Sequence, residues 1–128
     1  MANKPLWALS ASELVSKTRA GNLSASEITF ATLEQIKRVN PGLNAIVDNM
    51  ASEAMRRAEY LDLSAKSGVP KGNLFGIPVT VKINVDQKGY ATSNGVTALK
   101  NLIAKTNAPI VDHLMDAGAV FVGRTNTP

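Results

Sequence analysis

Cysteine is absent from the 128 residues, and histidine occurs once, as His113. The first absence excludes disulfides, thiolate nucleophiles and thiolate metal sites, without fixing the redox compartment. The second leaves no set of histidines for a metal, and Ser-His-Asp catalysis would rest on His113 alone. No metal or other cofactor is expected. The apolar runs are far too short to cross a membrane. No charged segment followed by an apolar stretch and a small-residue cleavage site opens the chain, so the expected address is the cytoplasm. The glycine-rich phosphate-binding patterns GxGxxG and GxxxxGK(S/T) do not occur, which leaves a nucleotide site without support. Internal repeats and low-complexity tracts are also missing. Aromatic residues make up 5% of the chain, and its basic residues are scattered, adjacent only at Lys37-Arg38 and Arg56-Arg57. A net charge of +4 without a basic run interleaved with aromatics argues against nucleic acid as a partner.

What is present fits one soluble globular domain with enough material for a core: 45% hydrophobic and 19% charged residues. Two helix starts repeat one device. Ser10 precedes Glu13, and Ser24 precedes Glu27, each at capping-box spacing with a leucine just before the serine. The first helix is expected to run to Ala20 and stop at Gly21. The second is expected to end at Asn40-Pro41-Gly42. Together they read as a packing hairpin without catalytic residues. A short strand is expected over Leu43–Val47. Asn49 then caps a helix over about 50–64, with Ala51, Ala54, Met55, Ala58 and Leu61 inward and Arg56, Arg57 and Glu59 toward water. Residues 67–73 read as a loop by their glycines and proline.

The stretch from Phe75 to Asp86 is the centre of the chain. Val79, Val81, Ile83 and Val85 alternate with Thr80, Lys82, Asn84 and Asp86, which is strand periodicity. Spacing alone leaves two readings of Lys82. It is a solvated lysine on an edge strand, or a lysine taken out of water that works as a base near neutral pH. Residues 87–95 read as a surface loop or as a loop laid over the C-terminal end of that strand, where open α/β sheets place ligands. One or two helical turns are expected over Val96–Ile103. Pro109 starts a helix that Gly118 stops, with Ile110, Val111, Leu114 and Met115 on one face. Ala119–Gly123 reads as a buried strand, and Arg124–Pro128 as a polar turn. Strand, helix and strand form a βαβ unit with parallel strands.

Two segments carry a resemblance. The first is Phe75-Gly-Ile-Pro-Val-Thr-Val-Lys82-Ile-Asn84-Val-Asp-Gln-Lys-Gly89, followed by Ala91-Thr-Ser-Asn-Gly95. The second runs from Ala108 to Asn126. In this order and spacing they resemble the N-terminal part of amidase signature enzymes. The resemblance implies an α/β fold. The chain would form the N-terminal part of an α/β/α architecture, with a mainly helical lead-in over 1–65. The start of a central mixed sheet would lie over 74–128.

It also implies amide hydrolysis by a serine nucleophile, a second serine held by a cis peptide bond, and a lysine that maps onto Lys82. By position, Arg124-Thr125-Asn126 leaves a parallel strand at its C-terminal end and is expected either to line the mouth of the site or to form a satisfied turn, with Thr125 and Asn126 as candidates for substrate binding. Where the family commonly has Asp-Asn after the lysine, this chain has Ile83-Asn84. The family's Gly/Ser-rich signature is not found, and Ser93 does not replace it, because its loop lacks a glycine-rich nest of oxyanion donors. The expected reading is therefore a part of a longer enzyme that supplies the lysine but not the serines and is inactive alone. Its expected partners are a small-molecule amide in the full-length enzyme and further copies of itself, as self-association or a homodimer. A role like that of the amidotransferase component that amidates aminoacyl-tRNA is the alternative within the family. A non-catalytic α/β module acting by assembly is the alternative outside it.

Overall fold

The computed structural model describes residues 3–127. Pro128, the end of the expected terminal turn, lies outside the described residues, as do Met1 and Ala2. After a 3-10 turn at Leu6–Ala8 the chain forms α1 (Ala11–Arg19) and α2 (Ala25–Leu43). It continues through β1 (Ile46–Asn49), α3 (Ala51–Lys66) and β2 (Pro78–Lys82) to α4 (Pro109–Asp116) and β3 (Val120–Thr125).

Both capping boxes form. The Ser10 and Ser24 side chains accept from the Glu13 and Glu27 backbone N–H groups, and each glutamate reaches back to its serine N–H. Gly21, at φ 76°, turns the chain after α1. Leu14 of α1 and Ile28 of α2 meet over Ile77, with Leu9 packed beside them. The N-terminus of α2 has a second anchor. The Asp62 carboxylate on α3 accepts from the N–H groups of Ala25 (2.8 Å) and Ser26 (3.0 Å). A negative group there satisfies orphan donors and complements the helix dipole.

Three boundaries differ from expectation. Helix α2 runs through Pro41 to Leu43: the bond Pro41 cannot give to the Lys37 carbonyl is lost at an exposed turn, where water can serve that carbonyl instead. The stop is Asn44, in the left-handed region at φ 50°. Since α2 takes Leu43, β1 begins only at Ile46. Asn40 bridges the corner: its side chain accepts from the Ala45 and Ile46 N–H groups and donates to the Ile46 carbonyl. Asn49 does serve the start of α3, accepting from the Ala51 N–H at 2.8 Å, and the helix continues to Lys66. Arg57 does not face water. It is half-buried, and its guanidinium donates to the Met115 carbonyl at 2.8 Å.

The sheet has the order β1-β3-β2. β2 runs parallel to β3, as a βαβ unit requires, and β1 pairs antiparallel to β3, so the sheet is mixed. Alternation on β3 divides the core. Val120 and Val122 pack with Ala25, Ala54, Ala58 and Leu61. Phe121 packs the other way, against Val81 and Val111. The result is α2 and α3 on one face, the sheet in the middle and α4 on the other. Ile110, expected on the inner face of α4, is 57% exposed. It lies in the first turn of the helix. Among the described residues no helix is long and apolar enough to cross a membrane.

A candidate active site at the end of the sheet

β2 stops at Lys82, four residues short of the expected Asp86. The cause is its neighbour. β3 ends at Thr125, so the Ile83 N–H bond to the Thr125 carbonyl, at 2.9 Å, is the last rung. The Val85 N–H then folds back onto the Lys82 carbonyl at 3.0 Å. The alternation itself holds: Val81 and Ile83 are buried, while Thr80, Lys82 and Asn84 are exposed.

Lys82 sits opposite Thr125 in the parallel register. Its ammonium has no hydrogen bond or ion pair to another described residue and is not shielded from water. The solvated-edge geometry is therefore the one found in this chain. The reason is positional: β2 is an outer strand, and no described strand pairs with its free edge.

Thr125 is half-buried, and its hydroxyl donates to the Val81 carbonyl at 3.5 Å. Asn126 is exposed, and its backbone N–H donates to the Ala45 carbonyl at 3.0 Å. It lines a cavity of ≈ 330 Å³ together with Ile83, Ser93, Val96 and Lys100. Lys82 does not line it. The sheet end thus brings Lys82, Thr125 and Asn126 to successive positions, with Lys82 on the open edge and Asn126 in the cavity wall.

The opposite wall of that cavity is the loop after β2. Gly89 and Thr92 donate to the carbonyls of Ala104 and Leu102, Ala104 donates to Tyr90, and Ala91 bridges Ile103. The loop is a closed hairpin with one 3-10 turn at Thr97–Leu99, folded over the C-terminal end of the strand.

Arg124, expected in a polar turn, is instead part of β3, completely buried and paired with Asp48 of β1 at 2.9 Å. The same guanidinium donates to the Ala91 and Val85 carbonyls, both at 2.9 Å, and lies over the Tyr90 ring. One sequence signal points to it: an arginine directly continuing a run as apolar as Ala119–Gly123 has no water to enter unless the chain turns at once.

Tyr90 closes the arrangement by donating to Glu53 of α3 at 2.9 Å. Burial of the phenol, then the bond to Glu53 and the charges of Glu53 and Asp48, push its pKa up to about 12 from 10.0. Across that window the unfolded chain loses its phenolic proton first, so stability is expected to decline as pH rises from 10.0 toward about 12. Glu53 is held below the ordinary carboxylate value by its own backbone N–H and by Tyr90. Its contribution is lost as pH falls through that range. In a Tyr60→Phe background Tyr90 is the only phenol, and its ultraviolet titration is expected near 12, moving toward 10.0 in Glu53→Gln. An unshifted titration in the parent would overturn this account.

Residues 27–128 match the family described as Amidase. The chain belongs to the amidase signature family. It is 42% identical over 124 residues to an indoleacetamide hydrolase of Bradyrhizobium diazoefficiens, covering 97% of this chain and 24% of that one. It is 36% identical to a component of the glutamyl-tRNA(Gln) amidotransferase of Carboxydothermus hydrogenoformans, covering 94% of this chain and 25% of the other. The structure of a bacterial aryl acylamidase of the amidase signature family superposes with a TM-score of 0.90 at 27% identity, over 98% of this chain and 26% of that one. The α/β/α reading and the family agree. The chain spans about a quarter of the length of these amidase signature relatives.

Proposed function

We propose that this chain supplies the lysine of an amidase that works through a serine–serine–lysine relay. The observation that carries the reading is the position of Lys82, at the last residue of parallel β2 and within the segment that matches the family. Lys82, in its neutral form, takes a proton through a bridging serine as the serine nucleophile attacks the amide carbonyl. It then returns that proton to the leaving amine. Both serines come from sequence outside these 128 residues, and the open edge of β2 is where further structure would meet the amine. That arrangement accounts for an ammonium still in water here.

Thr125 and Asn126 are assigned to the substrate side of the site, Asn126 through the cavity it lines. Hydrolysis is favoured over tRNA-dependent amidation by the higher identity to a hydrolase and by the scattered basic charge. Exposed Trp7, Phe30 and Leu43, with the open strand edge, support self-association of the chain on its own.

The test is a chimera in which residues 1–128 replace the matched segment of the Bradyrhizobium indoleacetamide hydrolase. The isolated chain is expected to show no turnover of indoleacetamide and to sediment as more than a monomer. The chimera is expected to hydrolyse indoleacetamide. Turnover by the isolated chain that a serine reagent abolishes, or a folded but inactive chimera, would refute the assignment.

A further inference from the structure

We infer that Arg124 is a positioning residue that fixes the segment leaving Lys82 and the cavity wall beyond it. Three bonds of 2.9 Å leave its two terminal nitrogens. One goes to the Asp48 carboxylate on β1, one to the Val85 carbonyl and one to the Ala91 carbonyl. Val85 is the residue whose N–H closes the turn on Lys82, and Ala91 lines the cavity. The clasp therefore grips both ends of the stretch between the lysine and the wall.

Its own position is over-determined. The backbone is held in β3 with Lys82 and Thr125 paired one residue on, and the guanidinium is 0% exposed. Tyr90 covers it, with the guanidinium carbon 5.4 Å from the ring centre. Tyr90 is in turn tied to α3 through Glu53. Burying a guanidinium is costly unless its partners are in place. Asp48 supplies the opposite charge, while the Arg124 Nε is buried without a partner. A fold needing only stability at this point would be served as well by an apolar side chain. What an apolar side chain cannot do is hold two loop carbonyls at a set distance from the sheet. The rigid guanidinium fork, with donors on two separate nitrogens, reaches the three acceptors in a fixed geometry.

The catalytic part of this inference rests on the amidase reading; the clasp itself does not, and two measurements separate them. The first is amide hydrogen exchange in the 128-residue chain. Arg124→Met is expected to speed exchange at residues 83–92 by at least about ten-fold more than in α2 and α3. Asp48→Asn is expected to do the same more weakly, since the two carbonyl bonds remain. A uniform acceleration over the whole chain, or none, would overturn the clasp. Should Arg124→Met not fold, Arg124→Lys and Asp48→Asn decide the question by the same comparison.

The second is steady-state kinetics of the chimera. Arg124→Met is expected to lower kcat by about ten-fold or more with KM changed by less than about three-fold, and Arg124→Lys to recover part of kcat. Unchanged kcat in a folded variant, or a loss confined to KM, would overturn the positioning role. An inactive parent chimera would instead sink the amidase reading and leave the exchange result standing.

Discussion

Lys82→Ala in the chimera is expected to lower kcat by about a thousand-fold or more, with the fold of residues 3–127 unchanged. General-base groups contribute roughly a hundred- to ten-thousand-fold, and members of a relay fail as a unit. A thousand-fold corresponds to about 4 kcal/mol of transition-state stabilisation. The 128-residue chain supplies the stability control, because the side chain does no structural work there. Lys82 is exposed, with no hydrogen bond to a described residue, so truncation opens no cavity and leaves no partner unpaired. Substitutions at such positions are ordinarily within about 0.5 kcal/mol of neutral.

Lys82→Arg sharpens the test. Arginine keeps the charge and the length but cannot give up its proton to become a base. It is expected to be as inactive as alanine. Full activity of Lys82→Ala would show that the lysine is dispensable. Full activity of Lys82→Arg would show that its role is a fixed positive charge and not proton transfer.

How much of this was legible depended on how far apart the interacting residues lie. The two capping boxes join residues three apart, and both formed as read from Ser10, Glu13, Ser24 and Glu27. The start of α4 at Pro109 and its stop at Gly118 are equally local. The end of β2 is not local. Periodicity ran on to Asp86, but a strand ends where its partner ends, and β3 lies more than thirty residues downstream. The Arg124–Asp48 pair is separated by 76 positions, and nothing in either neighbourhood marks the other.

Lys82 shows the same limit in the site. Alternation placed it correctly on the face opposite Val81 and Ile83. Whether that face is wet depends on what stands beside the strand, and periodicity carries no information about that. Pro41 is a smaller case: the bond it fails to give lies at an exposed turn that water can serve, so the stop passed to Asn44.

Gly118→Ala is expected to destabilise the chain by about 3 kcal/mol, the sum of two costs of comparable size. The residue has φ +91°, and a Cβ in the left-handed region costs about 1–2 kcal/mol. The added carbon would also stand 2.9 Å from the Cα of Phe75. That neighbour is backbone and has little freedom to yield. Phe75 is buried in the same cluster as Val120, and the contact is laced on both sides. The Leu74 N–H bonds the Ala117 carbonyl at 2.8 Å, and the Gly76 N–H bonds the Gly118 carbonyl at 2.9 Å. Overpacking against such a seam costs about 1–3 kcal/mol.

Gly21 separates the two terms. It is also left-handed, at φ +76°, but a Cβ there meets nothing within 4 Å. Gly21→Ala should therefore show the conformational cost alone, about 1 kcal/mol. Urea unfolding of both variants gives the comparison, and equal losses would mean that the close approach at Phe75 carries no energy. The seam matters to the site because Gly118 leads directly into β3. That strand delivers Arg124 and Thr125 to the end of β2, so a shift at the glycine is expected to move the residues beside Lys82 as well.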